Sequence, residues 1–304
     1  MMRSFRRQIV LWITKLKGLK KAFSGNPIHY KKLRKDDRKV PLSLTLAGNE
    51  TSVRTIGQCK ITEIIPKGLH SEEDEHLLIY FHGGAFVSGP TDLYWLGLSR
   101  MVKNTKTRAW LVDYPKAPEH QAEAINAEVD EVFTEAISLY QPSKIVLIGD
   151  SAGGNLAFTL IQRLLKKKAE LPVLVVGISP LVDLSLTHPE IAEIDTKDPI
   201  LSYNGVLSSN QMFAGELELT DSSVSPLYGE LEGFPPVMLF VAERDILAPD
   251  ARILAQRLQD AGVDVEVFEG KDLFHIWPMF AILQESSEAL EQIEARILQV
   301  KQKS

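Results

Sequence analysis

The chain holds a single cysteine, Cys59, in 304 residues, so no intrachain disulfide can form. Nothing then demands an oxidising compartment, and Cys59 reads as a small buried side chain in a strand. No signal peptide is legible. The apolar start is interrupted by Lys15 and Lys17, and no small-residue cleavage site follows. The same stretch is too short and too charged to span a bilayer. A cytoplasmic location is the expectation. No His-Glu-x-x-His or comparable cluster occurs, which argues against a metal hydrolase, and no metal or cofactor is expected. Repeats, low-complexity tracts and nucleic-acid-binding motifs are also missing.

What is present is a composition able to bury one large core, with 44% hydrophobic and 24% charged residues. The net charge of −6 conceals an asymmetry. Residues 1–40 carry thirteen Lys/Arg against two Asp, a net +11, which leaves −17 on the remainder. The acidic remainder argues against nucleic acid as a partner. In the basic end, Phe5, Ile9, Trp12, Ile13, Leu16, Leu19 and Phe23 recur at three- and four-residue steps and define one helical face. Arg3, Arg6, Arg7, Lys17 and Lys20 fall mostly off it. Either residues 1–23 lie as a peripheral helix on an anionic membrane surface, or the helix packs its apolar face on the body as part of a lid. The second is preferred, because the body offers a natural place for the helix.

The most informative stretch is Ile145-Val-Leu-Ile-Gly-Asp-Ser-Ala-Gly-Gly-Asn155. A branched apolar run ends abruptly at Gly149-Asp-Ser151-Ala-Gly153, after which Leu156, Leu160, Leu164 and Leu165 fall at helical spacing. A strand, a sharp turn and a helix, with Gly-x-Ser-x-Gly at the bend, form the setting of a nucleophile elbow. The serine must stand at the tip of a strained turn, and side chains at Gly149 and Gly153 would block the close approach of neighbouring elements.

Around this stretch strands alternate with helices. Val53–Ile65, Leu77–Phe81, Ala109–Asp113, Val173–Ile178, Val237–Val241 and Val263–Phe268 read as strands. Residues 91–104, 119–140, 152–168, 249–261 and 276 onward read as helices, and Ser71 to Glu75 as an acidic turn. Residues 185–225 look irregular, with a helical patch near Ser208–Leu217, and read as an insertion. The alternation predicts an α/β fold with a mostly parallel central sheet and helices on both faces.

Ligands of such sheets bind beyond the carboxyl ends of the strands. Leu77–Phe81 delivers His82-Gly83-Gly84-Ala85-Phe86 there, and adjacent glycines leave backbone N–H groups bare to hold a developing oxyanion. With the residue after the serine, the expected donors are Gly83, Gly84 and Ala152. His82 reads as a side chain that pins the loop. Two later strands deliver Asp245 and His275. Ser151 is a poor nucleophile until His275 takes its proton, and Asp245 fixes the imidazole tautomer. Glu243 and Asp250 flank Asp245, but Asp250 after Pro249 looks like a helix-start residue, and Asp272 lies too close in sequence to His275 to reach it easily. Phe86, Tyr203, Met212, Phe213 and Trp277 are candidates for lining an apolar substrate pocket.

The order Ser151, Asp245, His275 is the one expected of α/β-hydrolases. Together with His82-Gly-Gly-Ala-Phe86, Asp113-Tyr-Pro-Lys-Ala-Pro-Glu-His120, Gly149-Asp-Ser-Ala-Gly-Gly-Asn155, Ser225-Pro-Leu-Tyr228 and the run from Phe234 to Asp245, it makes the chain resemble the hormone-sensitive-lipase-like esterases, from about Leu77 to Pro278. The resemblance implies an α/β-hydrolase fold with a helical cap and a serine carboxylester hydrolase that needs no cofactor. It implies Ser151, Asp245 and His275 as the triad and Gly83, Gly84 and Ala152 as oxyanion donors. Residues 1–50 would be an N-terminal cap segment, joined by a cap insertion around 185–215, on a catalytic domain spanning 51–304. Small-molecule esters of short to medium acyl chains follow from the same likeness. There are two departures. The usual glycine triplet reads Gly83-Gly84-Ala85, and the usual Arg-Leu-Ala-Pro-Glu-His run reads Pro115-Lys116-Ala-Pro-Glu-His120. Alternatives on the same fold are a catalytically silent small-molecule-binding protein, which the presence of His275 argues against, and a deacetylase of a sugar or sterol ester.

Overall fold

A computed structural model describes residues 2–16, 18–42, 46–68 and 76–303; the acidic turn expected at Ser71–Glu75 lies outside them. One eight-stranded sheet runs in the order β1-β2-β4-β3-β5-β6-β7-β8. Its strands are β1 (Glu50–Ile56), β2 (Cys59–Ile65), β3 (Leu77–Phe81), β4 (Arg108–Asp113), β5 (Ile145–Asp150), β6 (Leu174–Ile178), β7 (Val237–Arg244) and β8 (Val265–Phe274). The β1–β2 hairpin and the β2–β4 pair are antiparallel, and all pairings from β4 to β8 are parallel. The expected strand over Val53–Ile65 is therefore two strands. Gly57, at φ 53°, allows a reversal that apolar periodicity does not announce. Cys59, the first residue of β2, is fully buried.

The helices are α1 (Met2–Leu16), α2 (Leu19–Ala22), α3 (Tyr30–Leu33), α4 (Asp92–Thr105), α5 (Ala122–Leu139), α6 (Ala152–Lys166), α7 (Ile191–Asp195), α8 (Tyr203–Ala214), α9 (Ala248–Asp260) and α10 (Gln284–Lys303). Strands β3, β5 and β6 are buried at every residue, as continuous apolar strands are when helices cover both faces of a parallel sheet. The helix expected from Ile276 divides into a 3₁₀ turn at Trp277–Met279 and then α10, because Pro278 cannot continue an α-helix backwards into the loop. The stretch 185–225 holds two helices, and α8 starts five residues before the expected patch at Ser208.

Helix α1 sits on the body, with Ile9 of the apolar stripe half-buried. Among its described side chains Val10 and Thr14 are buried, while Trp12 and Leu16 point to solvent. Arg7 turns this side inward by reaching Asp272 (3.2 Å) and Glu285 (3.3 Å). The side chains of Phe5 and Ile13 lie outside the described ones. Farther along, Lys20 bonds Asp195 (Oδ1, 3.2 Å) and the carbonyl of Asp198 (3.0 Å), and the Ile28 N–H donates to Ser208 Oγ (3.0 Å). Gly205 of α8 lies so close to the Phe23 carbonyl that an added methyl would overlap it. Gly205→Ala should therefore loosen residues 18–28 from α8, with a loss on the order of 1–3 kcal/mol typical of overpacking. Thermal unfolding and limited proteolysis around Ser24–Pro27 would report it. An unchanged midpoint and cleavage pattern would show that this contact does not hold the segment.

Candidate active site

Strand β5 ends at Asp150 and α6 begins at Ala152, so Ser151 alone makes the turn. Its φ of 51° and ψ of −120° are strained for a residue with a side chain. The conformation is held by neighbours on both sides. The Ser151 N–H donates to the Ile178 carbonyl (3.0 Å), and its own carbonyl accepts from Leu181 (3.0 Å) and Asn155 (3.2 Å). A Cβ at Gly153 would overlap the Phe81 carbonyl at the end of β3, and one at Gly149 would overlap the Gly153 carbonyl. The two glycines thus permit backbone contact on both sides of the serine.

Asp245 follows β7 and is fully buried. Its Oδ1 accepts from the Leu247 N–H (3.0 Å), and its Oδ2 accepts from His275 Nδ1 (2.9 Å). That bond leaves His275 Nε2 for the other side of the ring. Ser151 and His275 border the same cavity. No hydrogen bond joins them among the described residues, and such contacts often tighten only with substrate in place. Burial disfavours the His275 imidazolium. The charge of Asp245, its hydrogen bond, and the charges of Asp198 and Asp150 outweigh that effect and raise the pKa above 6.5. The neighbouring carboxylates are engaged elsewhere. Glu243 accepts from the Asp272 N–H (2.7 Å), and Asp272 pairs with Arg244 (3.0 Å) and Arg7 (3.2 Å). Asp250 lies in the first turn of α9, where burial pushes its pKa up to about 7.

The oxyanion side differs from expectation. Asp150 is buried beside the elbow, and its Oδ1 accepts from the Gly83 N–H (2.8 Å) and the Tyr80 hydroxyl (2.9 Å). Burial pushes its pKa up to about 7 against the pull of these bonds. Gly83 is therefore engaged by Asp150 and does not border the cavity, whereas Gly84 and Ala85 do. The Gly83 N–H, expected to face a substrate, is turned to Asp150 instead. The N–H groups of Gly84 and Ala85 have no acceptor among the described residues, and Ala152, first in α6, has no intrahelical acceptor. Ala85 stands at φ 55°, so alanine takes a left-handed position that favours glycine at roughly 1–2 kcal/mol. His82 pins this loop. Its Nδ1 donates to the Gly83 carbonyl (2.5 Å), its carbonyl accepts from the Tyr114 hydroxyl (2.8 Å), and its ring stacks on Tyr114 at 4.6 Å. Burial, then the Lys116 charge, holds its pKa well below 6.5.

Asp198 escaped the sequence reasoning. Its Oδ1 accepts from Ile200 and Leu201 (both 2.8 Å), and its Oδ2 accepts from the N–H of Ile246, the residue after Asp245 (3.1 Å). Burial and then the Asp245 charge push its pKa up to about 7. An Asp before Pro199 that turns back on N–H groups two and three residues on is the one local signal that points to it.

The cavity beside Ser151 has a volume of about 360 Å³ and a mostly apolar wall. Leu19, Phe23 and Leu33 come from the N-terminal segment, Leu201 and Val206 from the 185–225 stretch. The five aromatic and Met candidates border other places. Phe86 and Phe213 are fully buried and stack on each other at 3.7 Å. Trp277 donates to the Val241 carbonyl (3.2 Å) within the core. Met212 borders a separate surface hollow with Ile28 and Tyr30. Tyr203 is half-buried at the start of α8, and its N–H donates to Asp195 (3.1 Å). The register of α8 turns Val206, not Tyr203, towards the cavity. Among the described residues, no group of His, Cys, Asp and Glu could hold a metal ion, and no helix is long and apolar enough to cross a membrane.

Comparison with known proteins gives the family. A family profile for the α/β-hydrolase fold matches residues 78–279. An esterase of Acinetobacter venetianus is 30% identical over 220 residues, covering 71% of this chain and 73% of that protein. Esterase LipU of Mycobacterium tuberculosis is 31% identical over 238 residues, covering 74% of this chain and 78% of that protein. A crystal structure of an esterase from the bacterial hormone-sensitive lipase family superposes with a TM-score of 0.84 at 27% identity, over 98% of this chain and 99% of that one. The chain belongs to the α/β-hydrolase family, among its hormone-sensitive-lipase-like ester hydrolases.

Asp198 generates a specific expectation. Asp198→Asn removes a charge that raises the His275 pKa and loosens the loop carrying Asp245. It should lower kcat by on the order of tenfold, short of the ~10²-fold that full misplacement brings. The pH profile should move to a lower midpoint. An unshifted profile would show that Asp198 does not act on His275.

Proposed function

We propose that this ester hydrolase uses Ser151, Asp245 and His275 as a catalytic triad and works through an acyl-enzyme on small-molecule esters of short to medium chain length. The observation that carries the reading is the 2.9 Å bond from His275 to Asp245, set across one cavity from a serine at a strained strand-to-helix turn. In this mechanism His275 Nε2 removes the Ser151 Oγ proton as the oxygen attacks the ester carbonyl. The N–H groups of Gly84, Ala85 and Ala152 hold the tetrahedral oxyanion, aided by the positive end of α6. His275 then protonates the departing alcohol and activates the water that frees the acid. Losing one oxyanion donor typically costs ~10²–10³ in kcat.

Residues 1–50 and about 185–215 act as the cap over residues 51–304 in this reading. Its support is that both segments contribute to the cavity wall and are bonded to each other through Lys20 and Ile28. The compact apolar cavity supports an acyl group of limited length. The cytoplasmic assignment is part of the same proposal, and the single buried thiol is compatible with it.

A p-nitrophenyl ester series from acetyl to dodecanoyl tests the substrate and nucleophile together. Wild type should turn over and fade towards the long chains, with Ser151→Ala slower by at least ~10³-fold. A folded wild type inert on every member would sink the reading. The pH dependence has a definite sign. Protonated His275 is inactive, so the rate should rise with pH through a midpoint above 6.5, since the folded environment raises that pKa. Asp245→Asn should lower both the rate and the midpoint. Flat activity between about pH 5 and 8 would exclude His275 as the base.

A further inference from the structure

We propose that the outer face of α1, together with basic residues beside the cavity mouth, docks on an anionic lipid bilayer. The first observation is the orientation of the helix. Its inner side is occupied by Val10, Thr14 and the doubly paired Arg7. Its other side carries Trp12 and Leu16, which are one turn apart and remain 63% and 65% exposed. The remaining three tryptophans, Trp95, Trp110 and Trp277, are buried.

The second observation is how the basic residues divide. Arg7, Lys20, Arg34 and Arg38 are paired with carboxylates of the body. Arg6, Lys21, Lys32 and Lys35 are exposed, and none has an ion pair among the described residues. The charges that face the body are neutralised, and those that face away are not. The third observation is place. Lys21 and Lys32, in the segment that follows α1, border the same cavity as Ser151.

These features favour lipid over other occupants. A second copy would bring two strongly basic faces together, and like charges oppose that contact. An acidic protein would match the cations, but an exposed tryptophan beside basic residues on a short amphipathic helix matches the interfacial layer of a bilayer in both its apolar and its charged part. The proposal does not depend on the catalytic assignment, since it concerns binding alone.

The test uses the full chain with vesicles of neutral phosphatidylcholine and of phosphatidylcholine mixed with anionic phosphatidylglycerol. Binding is read by co-sedimentation and by tryptophan emission. Trp12 is the exposed tryptophan, so a blue shift and protection from acrylamide report on this face directly. Binding to mixed vesicles and little to neutral ones is expected. Each basic residue at an anionic surface multiplies partitioning by roughly fivefold, so Arg6→Glu with Lys35→Glu should weaken it by at least ~25-fold. Trp12→Ser with Leu16→Ser should abolish sedimentation. Both double variants should keep the far-UV circular dichroism of wild type and its rate on a soluble ester, because none of these four residues borders the cavity. No binding to mixed vesicles, equal binding to neutral ones, or wild-type binding by either variant would overturn the proposal. So would a lipid-free dimer that Trp12→Ser with Leu16→Ser converts to a monomer, which would assign the face to a second copy.

Discussion

Gly153 lies against the carbonyl of Phe81 with no room for a single methyl group between them. This contact sets the distance between the end of β3 and the start of α6, and so between the His82–Phe86 loop and Ser151. Asp150 then ties the two loops in register by accepting from Gly83 and Tyr80. The compact junction carries strain, because Ser151, Ala85 and Phe86 all stand at positive φ. Such residues cost of order 1–3 kcal/mol each and persist only where the surroundings over-determine them. The fully buried strands on either side provide that constraint.

A second set of links joins segments far apart in sequence. Lys20 reaches Asp195 and the Asp198 backbone, Asp198 accepts from Ile246, and Asp245 beside it holds His275. Arg7 meets Asp272, three residues before His275. The +11 end of the chain is thus fitted to its −17 remainder by a few specific pairs. Partly exposed pairs of this kind contribute little stability one by one. Their effect is on placement, since they set where the N-terminal segment lies relative to the loop carrying the imidazole.

Much of the frame was legible in the sequence, for physical reasons. Buried parallel strands read as unbroken apolar runs, so Leu77–Phe81 and Ile145–Asp150 announce themselves. The glycines around Ser151 answer a steric demand that few other turns make. What stayed hidden depends on tertiary contacts. Adjacent glycines suggest bare N–H groups, but only the position of Asp150 decides that Gly83 is engaged and Ala85 is not. Apolar side chains look alike whether they line a cavity or fill a core, so Phe86 and Phe213, stacked on each other, could not be told from Val206 and Leu33. Helical periodicity likewise defines an apolar side for α1 without saying what that side meets. Arg7 turns inward, and of the stripe Trp12 and Leu16 face away while Leu19 and Phe23 border the cavity.

Cys59 has a consequence of another kind. It is fully buried at the start of β2, and burial pushes its thiol pKa up to about 12. A thiol without thiolate character and without solvent access is inert to alkylating reagents while the fold is closed. Since no other cysteine competes, any thiol modification of the wild-type chain must pass through an opening of the β1–β2 edge or of the whole sheet. The residue is thus a built-in chronometer, one whose reaction rate counts how often the fold comes apart.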